Sequence, residues 1–282
     1  MRPVEQTFVV RPEIPLVVFA DPFAGEEPSG PGPRGAARGV VVETVAALEQ
    51  AGTRAYSGPE RVRSRLLAAA AAAGVIATAL EADARLHGPG LARSSSEDYF
   101  RLRVAPLNPV AALAYGAGVI ARAAGDLAWA PVVADDLALE VWALSYALAQ
   151  LGERAGPLSM SCATSAPWAP AAPDVGGRWI IGHHARFLLE ACAAARLAAA
   201  ADWARGGQLE EAAGHVRGAT VYVRGLPAAV AQACATPAAR YHRAIRPGMA
   251  PPAAAETLSG SRHTTTGCGA RRCAAFGTSR RR

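Results

Sequence analysis

The chain has 282 residues, of which 51% are hydrophobic and only 6% aromatic. This length suits one large domain or two small ones, with enough apolar residues to bury a core. The formal net charge is +6, but six arginines and no acid follow position 261, so the tail accounts for the whole excess. The body therefore lacks the basic stripe expected of a nucleic-acid-binding protein, and we expect no nucleic-acid partner.

The number of cysteines and the length of the apolar runs help to predict the cellular compartment of the protein. An odd number of cysteines without framework spacing predicts reduced thiols and no zinc site. The longest uncharged apolar stretch, Leu66–Leu80, is shorter than the roughly twenty residues that span a bilayer. The N-terminal apolar runs are too short for a secretion signal. We therefore expect a cytoplasmic protein that does not enter a membrane.

Extended segments are predicted only near the N-terminus. Thr7–Val10 and Leu16–Phe19 are short apolar or β-branched runs, which favour a small hairpin or an extended arm. A loop rich in Gly and Pro follows as far as Gly39. No alternation with period two is visible after residue 20. Helical patterns are predicted over Val40–Gln50, Pro59–Arg85, Asn108–Asp126, Asp135–Gly152, Arg178–Arg205, Leu209–Gly218, Ala219–Ala235 and Pro237–Ile245.

These patterns predict an all-α fold with three regions. Residues 1–39 form the N-terminal arm and loop, residues 40–260 a helical domain, and residues 261–282 an arginine-rich tail. Within the helix that Asn108 and Pro109 begin, Gly116-Ala117-Gly118 imitates a dinucleotide-binding fingerprint. Because no strand precedes it, we interpret these glycines as sites of close helix packing.

Two adjacent histidines lie in the middle of a long apolar helix pattern. Helical spacing places His184 on one face with Ile180, Phe187 and Leu188, which predicts a buried imidazole. His183 shares its face with Trp179, Arg186 and Glu190, which predicts a more solvated side chain. An imidazole on an apolar helix face is either a hydrogen-bonded core residue or a ligand, and iron is among the metals that it binds well.

Further chemistry-bearing residues stand at the breaks between helices. His87 lies in Leu86-His87-Gly88-Pro89-Gly90, where the alanine-rich helix must end. His242, Arg243 and Arg246 lie in the run from Arg240 to Met249, and Leu258-Ser259-Gly260 follows after a short loop. Each of these residues, taken alone, is equally compatible with an ordinary structural or surface role.

Together, three elements resemble the histidine-ligated, haem-dependent aromatic oxygenases, the superfamily that includes tryptophan 2,3-dioxygenase. They are the His87 segment, the Gly182-His183-His184 motif, and Arg246-Pro247-Gly248-Met249 with Leu258-Ser259-Gly260. Within the superfamily the chain is most similar to the bacterial haem-dependent L-tyrosine hydroxylases. The resemblance covers roughly residues 40–261.

The resemblance implies a b-type haem whose iron is held by one histidine. His184 is the first choice for this ligand because of its apolar face, His183 is the second, and His242 is the alternative outside the pair. His87 takes the place of the distal histidine, where an imidazole suits removal of a proton from a phenol. The resemblance also implies cofactor-binding roles for Arg243, Arg246 and Ser259, which belong to the segment that closes the pocket. The two arginines are candidates to bind a haem propionate or the substrate carboxylate.

The implied activity is an oxidoreductase of the monooxygenase type. It would hydroxylate tyrosine or a similar phenolic amino acid ortho to the hydroxyl, giving a catechol such as L-DOPA. The oxidant would be hydrogen peroxide, and the setting would be the biosynthesis of an antibiotic or another natural product. This activity is compatible with a homo-oligomer. Two alternatives stand beside it: a haem dioxygenase relative that oxidises tryptophan or indole, and a non-enzymatic all-α ligand-binding protein.

The tail departs from the family pattern. From Ser261 it has no helical period, and its composition is foreign to the body. When high-GC codons are assigned to this tail and are then read one frame over, the resulting peptide has the pattern of an amphipathic helix. We therefore interpret residues 261–282 as a disordered, out-of-frame terminus.

Overall fold

The computed structural model describes residues 16–19, 36–80, 100, 102–105, 108–155 and 175–249. Helices dominate these residues, which confirms the all-α fold class. The elements in chain order are β1 (Leu16–Phe19), α1 (Ala36–Thr53), α2 (Pro59–Leu80), β2 (Leu102–Ala105), α3 (Pro109–Leu127), α4 (Ala134–Ala155), α5 (Val175–Arg205), α6 (Leu209–Cys234), the single turn α7 (Ala238–Arg240), a π-helical turn (Tyr241–Ile245) and a 3₁₀ turn (Arg246–Met249).

Helix α3 lies at the centre of the fold and packs against α2, α4 and α5. Its start is as the sequence predicts, because the Asn108 side chain accepts a 2.8 Å hydrogen bond from the Ala111 N–H and proline occupies the first turn. Most of its residues are buried Ala, Gly, Val, Ile or Leu. A Cβ atom on Gly116 would collide with the Leu151 side chain of α4, which confirms that this glycine permits close helix packing.

The two short strands pair in parallel, with Leu16 opposite Leu102 and Phe19 opposite Ala105. The extended run at Leu16–Phe19 is therefore confirmed, whereas strand β2 was not predicted. Its four residues, Leu-Arg-Val-Ala, are too few to show an alternating pattern. The parallel pairing places β2, from far along the chain, beside β1. Thr7–Val10 lies outside the described residues.

Helices α5 and α6 form the most extensively packed pair. The connection between them turns at Gly207, whose positive φ of 79° suits glycine. The predicted division of α6 at Gly218 is wrong, since α6 continues through this residue. A Cβ atom on Gly218 would lie 2.9 Å from the Tyr146 hydroxyl, so the glycine provides space for α4 rather than a helix end.

Other boundaries also differ from the sequence prediction, and α1 and the end of the described chain differ most in kind. Helix α1 begins at Ala36 rather than Val40, so it starts inside the region predicted as arm and loop. The predicted helix Pro237–Ile245 is a single α turn followed by a π-helical turn, and a 3₁₀ turn continues it over Arg246–Met249. The predicted tail, residues 261–282, lies outside the described residues, so its disorder stays a prediction.

Helices α2 and α3 are long and apolar enough to cross a membrane by length and composition alone. Most of α3, however, lies in the protein core, and α2 packs its Leu66, Ala69, Ala73 and Ile76 face inward. Core helices of soluble proteins pass the same test, so the finding is weak evidence for a membrane. The absence of a membrane partner stays a prediction.

Gly182 brings α5 into backbone contact with α6, and we expect Gly182→Ala to destabilise the protein by about 1–3 kcal/mol. A Cβ atom there would lie 2.6 Å from the Ala233 nitrogen and 2.8 Å from the Ala229 oxygen, and neither backbone atom can rotate away. Urea unfolding measures the change. Gly214→Ala is the control, because only the flexible end of Arg217 lies near; it should stabilise by up to about 1 kcal/mol. Equal stability of both variants would contradict this packing account.

Candidate active site around the histidine pair

Both histidines of the pair are buried in the middle of α5, His183 at 8% exposure and His184 at 2%. The predicted burial of His184 is confirmed. His183 is the more exposed of the two, as predicted, but it is also buried. Its ring stacks on Phe100, with centroids 4.8 Å apart, and lies 4.4 Å from the Trp179 ring. The helical period could not predict that Phe100 covers the His183 ring, because Phe100 comes from a distant segment just before β2.

Hydrogen bonds to backbone carbonyls show which ring nitrogen of each imidazole donates. A backbone carbonyl only accepts, so His183 donates its Nδ1–H to the Trp179 oxygen at 2.7 Å, and in the neutral form of this ring the lone pair is on Nε2. His184 donates its Nε2–H to the Phe100 oxygen at 2.9 Å, which leaves the lone pair on Nδ1. That Nδ1 atom is buried and has no hydrogen-bond partner among the described residues.

The surroundings of His184 keep it neutral. Burial lowers the pKa of His184 to about 3, the positive charge of Arg122 acts in the same direction, and the bond to Phe100 opposes them. A neutral imidazole with one nitrogen hydrogen-bonded and the other carrying a lone pair is the donor type that iron takes. His184 has this form.

The segment after α6 contacts Trp179, the aromatic neighbour of His183, through the ring of Tyr241. Tyr241 begins the π-helical turn, a distortion that is frequent at functional sites, and its ring lies 5.2 Å from the Trp179 ring. His242, Arg243 and Arg246 of the same segment are exposed. Arg243 donates from Nε to the Ala239 carbonyl at 3.1 Å.

These positions leave the roles of Arg243, Arg246 and His242 as predictions, because the structure does not bring the three side chains into contact with the pair. His87 and Ser259 lie outside the described residues, so their roles also stay predictions.

A buried ionic network lies at the start of α5. Arg178 donates from Nε to both carboxylate oxygens of Asp126 at 3.1 Å and from Nη1 to the Ala235 carbonyl at 3.3 Å. The Gln232 amide donates to Asp126 at 3.0 Å. Burial raises the pKa of Asp126, and the bonds from Arg178 and Gln232 oppose that rise. The sequence shows Asp126 only as an acid in an apolar helix, which signals a partner but does not identify it.

Glu140 of α4 is fully buried, and neither of its carboxyl oxygens has a hydrogen-bond partner among the described residues. Burial raises the pKa of Glu140 well above its ordinary value, and the nearby charges of Asp126 and Asp136 add to the rise. The side chain is therefore held mainly in its protonated form. Sequence reasoning missed this residue, because acids are common at exposed positions of such a helix.

We expect Glu140→Gln to raise the melting temperature at neutral pH. A carboxyl whose pKa is raised by folding stabilises the fold below its ordinary pKa, and that contribution is lost as pH rises through the folded value. The advantage of the variant should therefore grow from about pH 4 to pH 8. Glu153→Gln, exposed on the same helix, controls for the loss of a carboxylate. A pH-independent difference would show that Glu140 does not titrate in this way.

The described residues contain no cluster of three or more His, Cys, Asp or Glu side chains that could hold a metal ion. The two cysteines among them, Cys192 and Cys234, are reduced, the first buried and the second exposed. A haem iron needs no such cluster, because its macrocycle supplies four nitrogen ligands and the protein supplies an axial one.

Comparison with protein families gives one match. The family model described as SfmD 3-methyl-L-tyrosine peroxygenase matches residues 28–265, which is most of the chain. The matched segment includes the histidine pair, the Asp126–Arg178 network, Glu140 and the segment after α6. Comparisons with curated proteins and with solved structures gave no match. The extent of the family match shows that the chain belongs to the SfmD 3-methyl-L-tyrosine peroxygenase family.

Proposed function

We propose that the protein is a haem-dependent peroxygenase that hydroxylates the ring of 3-methyl-L-tyrosine, or of a close phenolic amino acid, ortho to its hydroxyl. The observation that carries this proposal is the family match across residues 28–265. In the overall reaction one oxygen atom of hydrogen peroxide replaces a ring hydrogen as a hydroxyl group, and the other leaves as water. The reaction therefore needs no second reductant.

The histidine pair fits a haem, because each ring donates one N–H to a backbone carbonyl, and the neutral form that binds iron then has its lone pair on the other ring nitrogen. Of the two, the hydrogen bonds favour His183 as the axial ligand. Its lone pair is on Nε2, the ring nitrogen farther from the backbone. The lone pair of His184 is on Nδ1, next to its own helix, where a flat macrocycle has less room. This preference for His183 is the reverse of the order predicted from the helical face.

Bound haem would supply the chemistry that activates the peroxide. The chain would hold the axial imidazole, with the Trp179 carbonyl orienting the ring and increasing its basicity. Phe100, Trp179 and Phe187 surround that imidazole with apolar rings and help to exclude water. The likeness to the tryptophan 2,3-dioxygenase superfamily supports His87 as the base that takes the phenol proton, which makes the ortho carbon more electron-rich.

The family description narrows the range of candidate substrates. A methyl group on one ortho carbon leaves a single ortho C–H, so 3-methyl-L-tyrosine would give one catechol product. Unmethylated tyrosine would give L-DOPA by the same chemistry. We propose the methylated amino acid as the preferred substrate and natural-product biosynthesis in the cytoplasm as the setting.

The test is the visible spectrum of the protein supplied with haemin, followed by turnover with peroxide and 3-methyl-L-tyrosine, L-tyrosine or L-tryptophan. We expect a strong Soret band and the highest kcat/KM for 3-methyl-L-tyrosine. Preferential oxidation of tryptophan would favour the indole-oxidising alternative. A protein that takes up no haemin would favour the non-enzymatic alternative.

A further inference from the structure

A chain of aromatic rings leads from the histidine pair toward the protein surface. The Trp179 ring lies 4.4 Å from the His183 ring, and the Tyr241 ring lies 5.2 Å from the Trp179 ring. His183 is buried, whereas Trp179 and Tyr241 are both half-buried. Beyond Tyr241, the ring of the exposed His242 lies at 5.4 Å. The ring contacts therefore form a continuous path from the interior to solvent.

The rings in this path differ in how readily they are oxidised. Of the aromatic side chains, the indole of tryptophan and the phenol of tyrosine lose an electron most readily, and electrons pass rapidly between such rings in contact. Phe100 and Phe187 also lie against the His183 ring, at 4.8 Å and 6.3 Å, but a benzene ring is far harder to oxidise. Trp179 and Tyr241 are therefore suited to carry an electron, whereas the two phenylalanines contribute packing.

The oxidant of the proposed reaction gives such a path a use. Hydrogen peroxide accepts two electrons when it is reduced to two water molecules. When no amino-acid substrate is bound, these electrons come from the protein, and the oxidation damages residues around the haem. A path of readily oxidised rings moves the oxidation to a side chain near the surface, where a small reductant reverses it.

We propose that Trp179 and Tyr241 form an electron relay that protects the site when peroxide reacts without substrate. Tyr241 gives up one electron, which passes through Trp179 toward the haem held at the histidine pair, and its hydroxyl gives up one proton. Two such oxidations supply the two electrons and two protons that convert one hydrogen peroxide into two water molecules. A one-electron reductant such as ascorbate then restores each phenoxyl radical to tyrosine. This inference rests on the proposed function, which supplies the haem and the peroxide.

The relay is tested by mixing the haem-loaded protein with peroxide in the absence of substrate, freezing it rapidly and recording its electron paramagnetic resonance spectrum. We expect a phenoxyl radical in the parent protein, and peptide mapping of a spin-trap adduct should locate it at Tyr241. Tyr241→Phe keeps the ring and removes only the hydroxyl, so it should lose this signal with its haem content unchanged. Tyr56→Phe is the matched control, because Tyr56 is 69% exposed but lies after α1, where its hydroxyl bonds to Asp135. Loss of the signal in Tyr56→Phe alone would overturn the proposal.

Trp179→Phe tests the intermediate step of the relay. The variant keeps the backbone carbonyl that accepts the hydrogen bond from His183, but it lacks the indole. We expect the radical at Tyr241 to be lost although Tyr241 itself is unchanged. With ascorbate present, peroxide should also bleach the Soret band faster in Trp179→Phe and Tyr241→Phe than in the parent. A radical at the parent level in Trp179→Phe, or equal bleaching in all three proteins, would assign these rings a packing role only.

The outcomes also separate the relay from the proposed function. If the Tyr241 radical forms but no amino acid is hydroxylated, the relay stands and the peroxygenase assignment fails. If the parent protein hydroxylates 3-methyl-L-tyrosine but forms no radical at Tyr241, the relay fails alone. A protein that takes up no haemin would overturn both.

Discussion

Replacing His183 by glutamine is expected to remove the strong Soret band that the haem-loaded protein should show. Glutamine can still donate an N–H to the Trp179 carbonyl, which His183 contacts at 2.7 Å, but it has no imidazole lone pair for iron. The loss should therefore come from ligation rather than from unfolding. A visible spectrum with a haem-content assay measures it, and circular dichroism checks that the helices are retained.

His184→Gln is the matched control in the neighbouring position. Its amide can keep the hydrogen bond to the Phe100 carbonyl, so we expect it to retain haem. If His184→Gln loses the haem while His183→Gln keeps it, the ligand is His184, as the sequence first indicated. If only His242→Gln loses it, the axial ligand lies outside the pair.

Arg178→Met is expected to lower the free energy of unfolding by about 3–5 kcal/mol, because it leaves the buried carboxylate of Asp126 without its cation. Both side chains of this ion pair are almost fully buried, Arg178 at 5% exposure and Asp126 at 3%. Gln232 alone cannot replace the charge. Urea unfolding at neutral pH gives the value.

The same helix provides the control. Arg205 pairs with Asp202 at the other end of α5, where the side chains are 69% and 66% exposed. Arg205→Met should therefore change the free energy of unfolding by about 0–1 kcal/mol. Comparable losses in Arg178→Met and Arg205→Met would show that burial does not decide the strength of these ion pairs.

The helices and the burial of His184 could be predicted from the sequence, because both depend on residues three or four positions apart. The cap at Asn108 is equally local. Close packing at Gly116 could be predicted because no strand precedes this glycine, but its partner Leu151 in α4 could not. The burial of His183 could not be predicted, since the Phe100 ring that covers it comes from a distant part of the chain. The same reason applies to the Asp126–Arg178 ion pair, whose partners are 52 positions apart.

Charged residues of apolar helices were also missed. Glu140 occurs among apolar neighbours, and a charge at such a position is more often exposed than buried. Only the packing of the helices around α4 shows that this carboxyl group is buried. By contrast, the exposed Arg243 and Arg246 stood out because they lie next to a motif, and the structure does not place them at the pair.

Isotopically labelled hydrogen peroxide tests directly whether the protein is a peroxygenase. The haem-loaded protein is incubated with the labelled peroxide and 3-methyl-L-tyrosine in unlabelled water, and the product is examined by mass spectrometry. We predict a catechol that carries one labelled oxygen atom. No hydroxylated product, or a product whose new oxygen comes from water or dissolved oxygen, would contradict the account.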